Sequence, residues 1–186
     1  NRFMLLHDEY NANIPSHIKV FDFKTVFNFN ITGVDSPLEI PTLADFEVVL
    51  NETGGKPNKI ATRALWYIDN ETLFVSTNDG WLIHYDLQGT VLKKIHLHEN
   101  SKINSIVFSS NFAVLATAAD NGSKIVDPET MEVMRYFKQE LPMNAVSISP
   151  LFCDEKKPKY HMVMGGGVAA IMAAMTGGNS GFEAHL

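Results

Sequence analysis

Apolar residues along this chain come in short blocks of three to nine, and the blocks follow one order twice. Ile60 to Ile68 reads as a first strand, and Leu73-Phe74-Val75 as a short second strand buried on both faces. Trp81 to Tyr85 is a third. Val91 to Leu97 is a fourth, whose Lys93, Lys94 and His96 give it the solvent side of an outer edge strand. The order returns as Ile103 to Phe108, Phe112 to Ala116, Lys124 to Val126 and Val133 to Phe137. Upstream, Phe3 to Leu6, the alternating His17 to Phe23, and Phe46 to Leu50 predict three strands around a loop or insertion over 24–45. Downstream, Asn144 to Ile148 and Tyr160 to Met164 predict two more, separated by the charged loop Asp154 to Lys159. Val168 to Met175 has helix-forming alanines and methionines, but its place in the order favours a strand.

Turn chemistry divides the blocks. Asp79-Gly80 and Asp120-Asn121-Gly122 predict tight hairpin turns, since glycine accepts positive φ without steric cost and aspartate can bond its own backbone. An aspartate closes each following strand, Asp86 and Asp127, and Asp22 takes the same part earlier. The turn glycines Gly80 and Gly122 lie 42 residues apart, and Gly165 follows 43 residues later. A period near ~42 with about four strands per unit is the signature of a WD40-type β-propeller blade. The expected fold is therefore all-β, with approximate units 1–57, 58–99, 100–141 and 142–186. About four to five blades are represented, some incomplete, and the chain is expected to be a fragment of a larger propeller.

Composition narrows the function. The net charge of −6 disfavours direct nucleic-acid binding, which calls for clustered lysine and arginine, and suits partners with basic segments. No apolar run reaches the ~18 residues that span a bilayer, so no membrane partner is expected. Cys153 is the single cysteine, which excludes an intramolecular disulfide and fits a reducing, cytoplasmic setting.

Candidate chemistry is sparse. Gly165-Gly166-Gly167 lacks the Gly-Lys-Ser/Thr of a phosphate-binding loop and reads as a turn between strands. His7-Asp8-Glu9 cannot converge on a metal, because adjacent side chains of an extended segment point to alternate faces. His96 and His98 share one face of an edge strand without a third ligand of convincing spacing. Acidic neighbours Asp154 and Glu155 oppose a thiolate at Cys153, and no Gly-x-Ser-x-Gly elbow occurs. Neither catalytic residues, nor a metal, nor a cofactor is expected. Asp79, Gly80, Asp86, Gly122, Gly165, Gly166 and Gly167 are assigned to structural turns.

The last third carries a more specific pattern: Pro142-Met143-Asn144-Ala145-Val146-Ser147-Ile148-Ser149-Pro150, then Val163-Met164-Gly165-Gly166-Gly167, then Gly181-Phe182-Glu183-Ala184. With His84-Tyr85-Asp86, Leu97-His98-Glu99 and Val126-Asp127 upstream, it resembles the i subunits of the eukaryotic translation initiation factor 3 complex, from Phe3 to Ala184. The resemblance implies a seven-bladed propeller in the full-length protein. It also implies a non-enzymatic scaffold that grips a b-subunit helix, contacts the g subunit, and sits with the complex on the small ribosomal subunit. Asp127 matches a family aspartate on the surface that holds the b-subunit helix. A second acidic position of the family falls at about Asn111. Glu129, in the acidic corner beside Asp127, and Asp120 complete the expected partner-binding set. Met172-Ala173-Ala174-Met175-Thr176 and His185 depart from the family's threonines and arginine. A WD-repeat adaptor of another RNA–protein or signalling assembly is the alternative.

Overall fold

The computed structural model describes residues 2–7, 17–22, 46–49, 60–150, 161–168 and 181–186. Expectations for 24–45, Asp8 and Glu9, Cys153 with its charged loop, and 169–175 fall outside these residues. All regular structure among them is β. Strands β1 (Arg2–His7), β2 (His17–Asp22) and β3 (Phe46–Val49) form one antiparallel sheet, in that order. Strands β4 (Ala61–Trp66), β5 (Thr72–Thr77), β6 (Trp81–Asp86) and β7 (Val91–His96) form a four-stranded meander. Strands β8 (Ile103–Phe108), β9 (Leu115–Ala119), β10 (Gly122–Val126) and β11 (Val133–Lys138) repeat it. Strands β12 (Met143–Ile148), β13 (Met162–Gly167) and β14 (Phe182–His185) make the last sheet. Successive four-stranded meanders of this kind are the blades of an all-β, WD40-type propeller architecture.

The sheets pack face to face in series, and period-two alternation in the middle strands makes this possible. Leu73 and Val75 of β5 pack on Ile18 and Val20 of the first sheet. Phe74, between them, packs the other way with Leu82 and Leu97 against Leu115, Val126 and Met131 of the third sheet. On the far side of β9, Ala116 and Ala118 meet Met143, Val146 and Met164 of the fourth. A strand buried on both faces reads as a near-continuous apolar run, and among the described residues β5 and β9 are so enclosed, with Ser76, Thr77 and Thr117 as their buried polar members. The fourth strands, β7 and β11, lie largely exposed at the edge, as Lys93, Lys94, Arg135 and Lys138 dictate.

Three details differ from the sequence expectations. The apolar run from Phe112 breaks, because Phe112 itself turns with φ +58, and the strand runs Leu115–Ala119 instead. Gly165, Gly166 and Gly167 are not a turn; they are the second half of β13, with Gly165 and Gly166 paired to both neighbours and Gly167 to β14. At Gly166 the missing side chain serves close packing: a Cβ there would lie 1.9 Å from the Pro142 carbonyl oxygen. His96 and His98 do not share an open strand face, since His96 is exposed whereas His98, beyond the end of β7, is fully buried. One regularity was not expected. The innermost strands β4, β8 and β12 each carry one unpaired residue at the same register, Thr62, Asn104 and Asn144.

Candidate functional site

In an antiparallel meander, alternate connections lie at opposite ends of the sheet. The loops β4–β5, β8–β9 and β10–β11 share one end, where Phe108, Leu115 and Val126 align across three strands. At that end the four rings of Tyr67, Phe74, Phe108 and Phe112 form a continuous cluster. Tyr67 stands 5.4 Å from Phe74, 5.6 Å from Phe108 and 6.1 Å from Phe112, centroid to centroid. Phe108 and Phe112 are 5.1 Å apart. These separations are within the range where aromatic pairs add stability beyond their buried area. Tyr67 and Phe112 are only partly buried, so the cluster reaches the surface.

Carboxylates surround it. The Tyr67 hydroxyl is held above its ordinary pKa, first by burial and then by the negative fields of Glu129, Asp69 and Asp127. Burial works against the charge on Asp69. The Glu71 N–H, the Thr72 hydroxyl at 2.7 Å and the Thr72 N–H nevertheless hold its carboxyl below the usual range. Asp127 Oδ1 caps the β10–β11 turn, accepting from the N–H groups of Glu129 at 2.8 Å and Thr130 at 3.1 Å. That capping fixes the carboxylate in place, and its Oδ2 has no described hydrogen-bond donor. Glu129 is exposed, and its carbonyl oxygen accepts from Lys93 Nζ across the seam between the second and third sheets.

The sequence-expected residues divide between the two ends. Asn111 lies at this end, in the β8–β9 loop, where its Oδ1 accepts from Ser109 Oγ at 2.8 Å and from the Ala113 N–H at 3.2 Å. Asp120 does not join them. It starts the β9–β10 turn, with the five residues of β10 between it and Asp127, about 17 Å at the usual strand rise. There Asp120 accepts from Asn104 Nδ2 at 2.8 Å. Of the turn residues, Asp79 accepts from the Thr77 hydroxyl, and Asp86 Oδ1 caps its hairpin by accepting from the Thr90 N–H at 2.7 Å. Gly80 and Gly122 take φ of +89° and +121°. Tyr67, Asp69 and Phe112 were not singled out from sequence. The available signal was an aromatic or acidic residue in the connection after each first strand, at the end shared with Asp127.

At the opposite end, His98 joins the second and third sheets. Its Nδ1 is 2.6 Å from Asn121 Oδ1 and its Nε2 2.8 Å from Thr117 Oγ1. Burial lowers its pKa to about 4; Lys124 adds to the shift, while the Asn121 bond and Asp120 oppose it. The imidazole is thus neutral at pH 7 and structural. Among the described residues no group of three His, Cys, Asp or Glu side chains could hold a metal, and no helix is long and apolar enough to cross a membrane.

No model of a known protein family matches the chain. Individual proteins do. It is 29% identical over 177 residues to eukaryotic translation initiation factor 3 subunit I of Eremothecium gossypii, covering 94% of this chain and 46% of that protein. It is 32% identical over 128 residues to the human subunit I, covering 67% of this chain and 37% of the relative. With the Dictyostelium discoideum subunit I it shares 32% identity over 110 residues, covering 59% and 31%. The chain therefore spans less than half the length of the curated relatives it matches.

Proposed function

We propose, for a chain that resembles subunit I of eukaryotic translation initiation factor 3, that it is part of the propeller of a non-enzymatic scaffold subunit in that complex. In this reading it holds the b and g subunits during messenger RNA recruitment and scanning on the small ribosomal subunit, in the cytoplasm. The supporting observation is the acid-rimmed aromatic surface at the β10–β11 end. Tyr67 and Phe112 offer an apolar floor, and Asp69, Asp127 and Glu129 a negative border. That combination suits an amphipathic helix with a basic edge, the chemistry expected of the b-subunit segment. Asp127 is assigned an ion pair with a basic side chain of that segment, because its turn bonds fix one oxygen and leave the other to a partner. Asn111 borders the surface without charge, and Asp120, at the other end, takes no part in this contact.

The test is Asp127→Arg. Pull-down or calorimetry with the C-terminal segment of the b subunit should show about tenfold or greater weakening, or about 1.4 kcal/mol. A complementary charge reversal on the segment should recover affinity. Unchanged binding in the folded variant would remove the assignment.

A further inference from the structure

The three residues that the inner strands leave unpaired, Thr62 of β4, Asn104 of β8 and Asn144 of β12, point to one place. A bulge re-aims the side chain of its extra residue. All three line a cavity of about 690 Å³ together with Arg63, Asn78 and Lys102, at the end away from the acidic corner. No described residue lining it carries a carboxylate, in a chain whose net charge is −6. The two cations are exposed, and Arg63 Nη1 donates to the Thr62 carbonyl oxygen at 2.9 Å, which orients the guanidinium.

Hydrogen bonds already made determine what the amides can still offer. Asn104 Nδ2 donates to Asp120 Oδ1 at 2.8 Å and to the Met143 carbonyl oxygen at 3.0 Å. Asn144 Nδ2 donates to the Gly167 carbonyl oxygen at 3.3 Å. Their Oδ1 atoms are therefore the acceptors available to a ligand. Asn78 is the reverse: its Oδ1 accepts from the Ile60 N–H at 2.9 Å, which leaves Nδ2 to donate. The cavity thus combines two cations and a donor with two neutral acceptors, and Leu6 and Ile60 add apolar wall.

A fully ionised phosphate ester group has only acceptor oxygens and would leave the Asn104 and Asn144 acceptors opposed to it. An extended peptide has backbone N–H groups for those acceptors and, where it carries aspartate or glutamate, a carboxylate for Arg63 and Lys102. We propose that this cavity binds an acidic peptide segment in extended conformation. The site is independent of the b-subunit contact, being built from different strands' ends and of opposite charge.

Fluorescence anisotropy of the full chain with a fluorescein-labelled heptapeptide alternating glutamate and leucine tests it. The double variant Arg63→Glu, Lys102→Glu should lower affinity by about tenfold or more, with its thermal midpoint kept because both side chains are exposed. Asn144→Asp should weaken binding several-fold, whereas Asp127→Arg should leave it unchanged. Absence of peptide binding, or binding indifferent to the double variant, overturns the proposal. Displacement of the peptide by tripolyphosphate or by an oligouridylate at lower concentration than by unlabelled peptide also overturns it, in favour of a phosphate or an RNA.

Discussion

The second and third sheets share a meander and a turn glycine, and each buries a threonine in its second strand, but the two threonines stand at different registers, Ala119 being the counterpart of Thr77, and they do different work. In the second sheet Thr77 works locally: its Oγ1 donates to Asp79 at 2.5 Å and accepts from the Trp81 N–H at 3.0 Å. Trp81 then stacks on His96 at 4.7 Å and 6°, with Lys94 over its ring. In the third sheet the Thr117 hydroxyl meets the buried His98, which comes from the loop behind β7, and also lies 3.3 Å from the Lys124 carbonyl oxygen of its own hairpin. The counterpart of Trp81 is Ser123, fully buried, and the neighbouring Lys124 donates to the Leu97 carbonyl oxygen. One hairpin is thus closed on itself and the other is tied to its neighbour. A repeated sequence pattern specifies the turn, while the residues that differ specify how sheets are joined.

The largest expected effect comes from Gly80. A Cβ there would lie 1.7 Å from the His98 carbonyl oxygen and 2.6 Å from its carbon, at φ +89°. Gly80 O also accepts the N–H groups of Leu97 and His98, so the loop that delivers His98 cannot simply retreat. Gly80→Ala should cost more than about 3 kcal/mol in urea unfolding. Its hydrogen-exchange protection should fall in the third sheet as well as the second. At Gly122 the obstruction is Phe137 and Lys138 of its own sheet, so Gly122→Ala should loosen the third sheet while sparing the second. Equal loss in both sheets for both variants would contradict the placing of the inter-sheet tie at the His98 loop, which Gly80 holds and Gly122 does not touch.

Next is pH. The folded protein holds His98 neutral down to about pH 4, whereas the unfolded chain takes up that proton near pH 6.5. Acidification therefore favours the unfolded state: the stabilisation is complete above pH 6.5 and is lost as pH falls toward 4. The size is roughly 3 kcal/mol. His84, whose pKa burial also lowers, adds in the same direction, with Asp69 opposing and Lys93 reinforcing the shift. The depressed carboxyl of Asp69 acts below this window, so it does not mask it. Urea titrations from pH 7.5 to 4 should show the slope, and His98→Gln should flatten most of it. A slope unchanged by that variant would mean that His98 is not held neutral by the seam.

These contacts mark how far the sequence could be read. The strands, the repeat and the Asp-Gly turns were legible because each is set by residues within a few positions of one another. The role of His98 was not, since Asn121 and Thr117 lie 23 and 19 residues away, and the Leu-His-Glu context looks like an ordinary strand end. The glycine triplet misled for a physical reason: glycine marks a tight turn and also a close approach between paired backbones, and only the Pro142 carbonyl distinguishes them. The bulges left no local trace, because one extra residue in a six-residue strand alters register without altering composition. Placing Asp120 apart from Asp127 needed only the strand between them, a constraint already present in the pattern.

The smallest effect isolates the difference between the hairpins. Ser123 stands where the second sheet has Trp81, and its buried Oγ has no hydrogen-bond partner among the described residues. An unpaired buried hydroxyl costs the free energy of its lost water contacts without return. Ser123→Ala removes that cost and leaves a void of only one oxygen, so it should stabilise the chain by about 0.5–1 kcal/mol. The same exchange at Thr77, as Thr77→Val, should destabilise by about 1–2 kcal/mol, since it removes the Thr77 hydroxyl's bonds to Asp79 and to the Trp81 N–H. Opposite signs in parallel urea titrations would show that the repeat conserves geometry here while its hydroxyls do unlike work. A loss on Ser123→Ala would instead mean that Ser123 Oγ has a partner in solution.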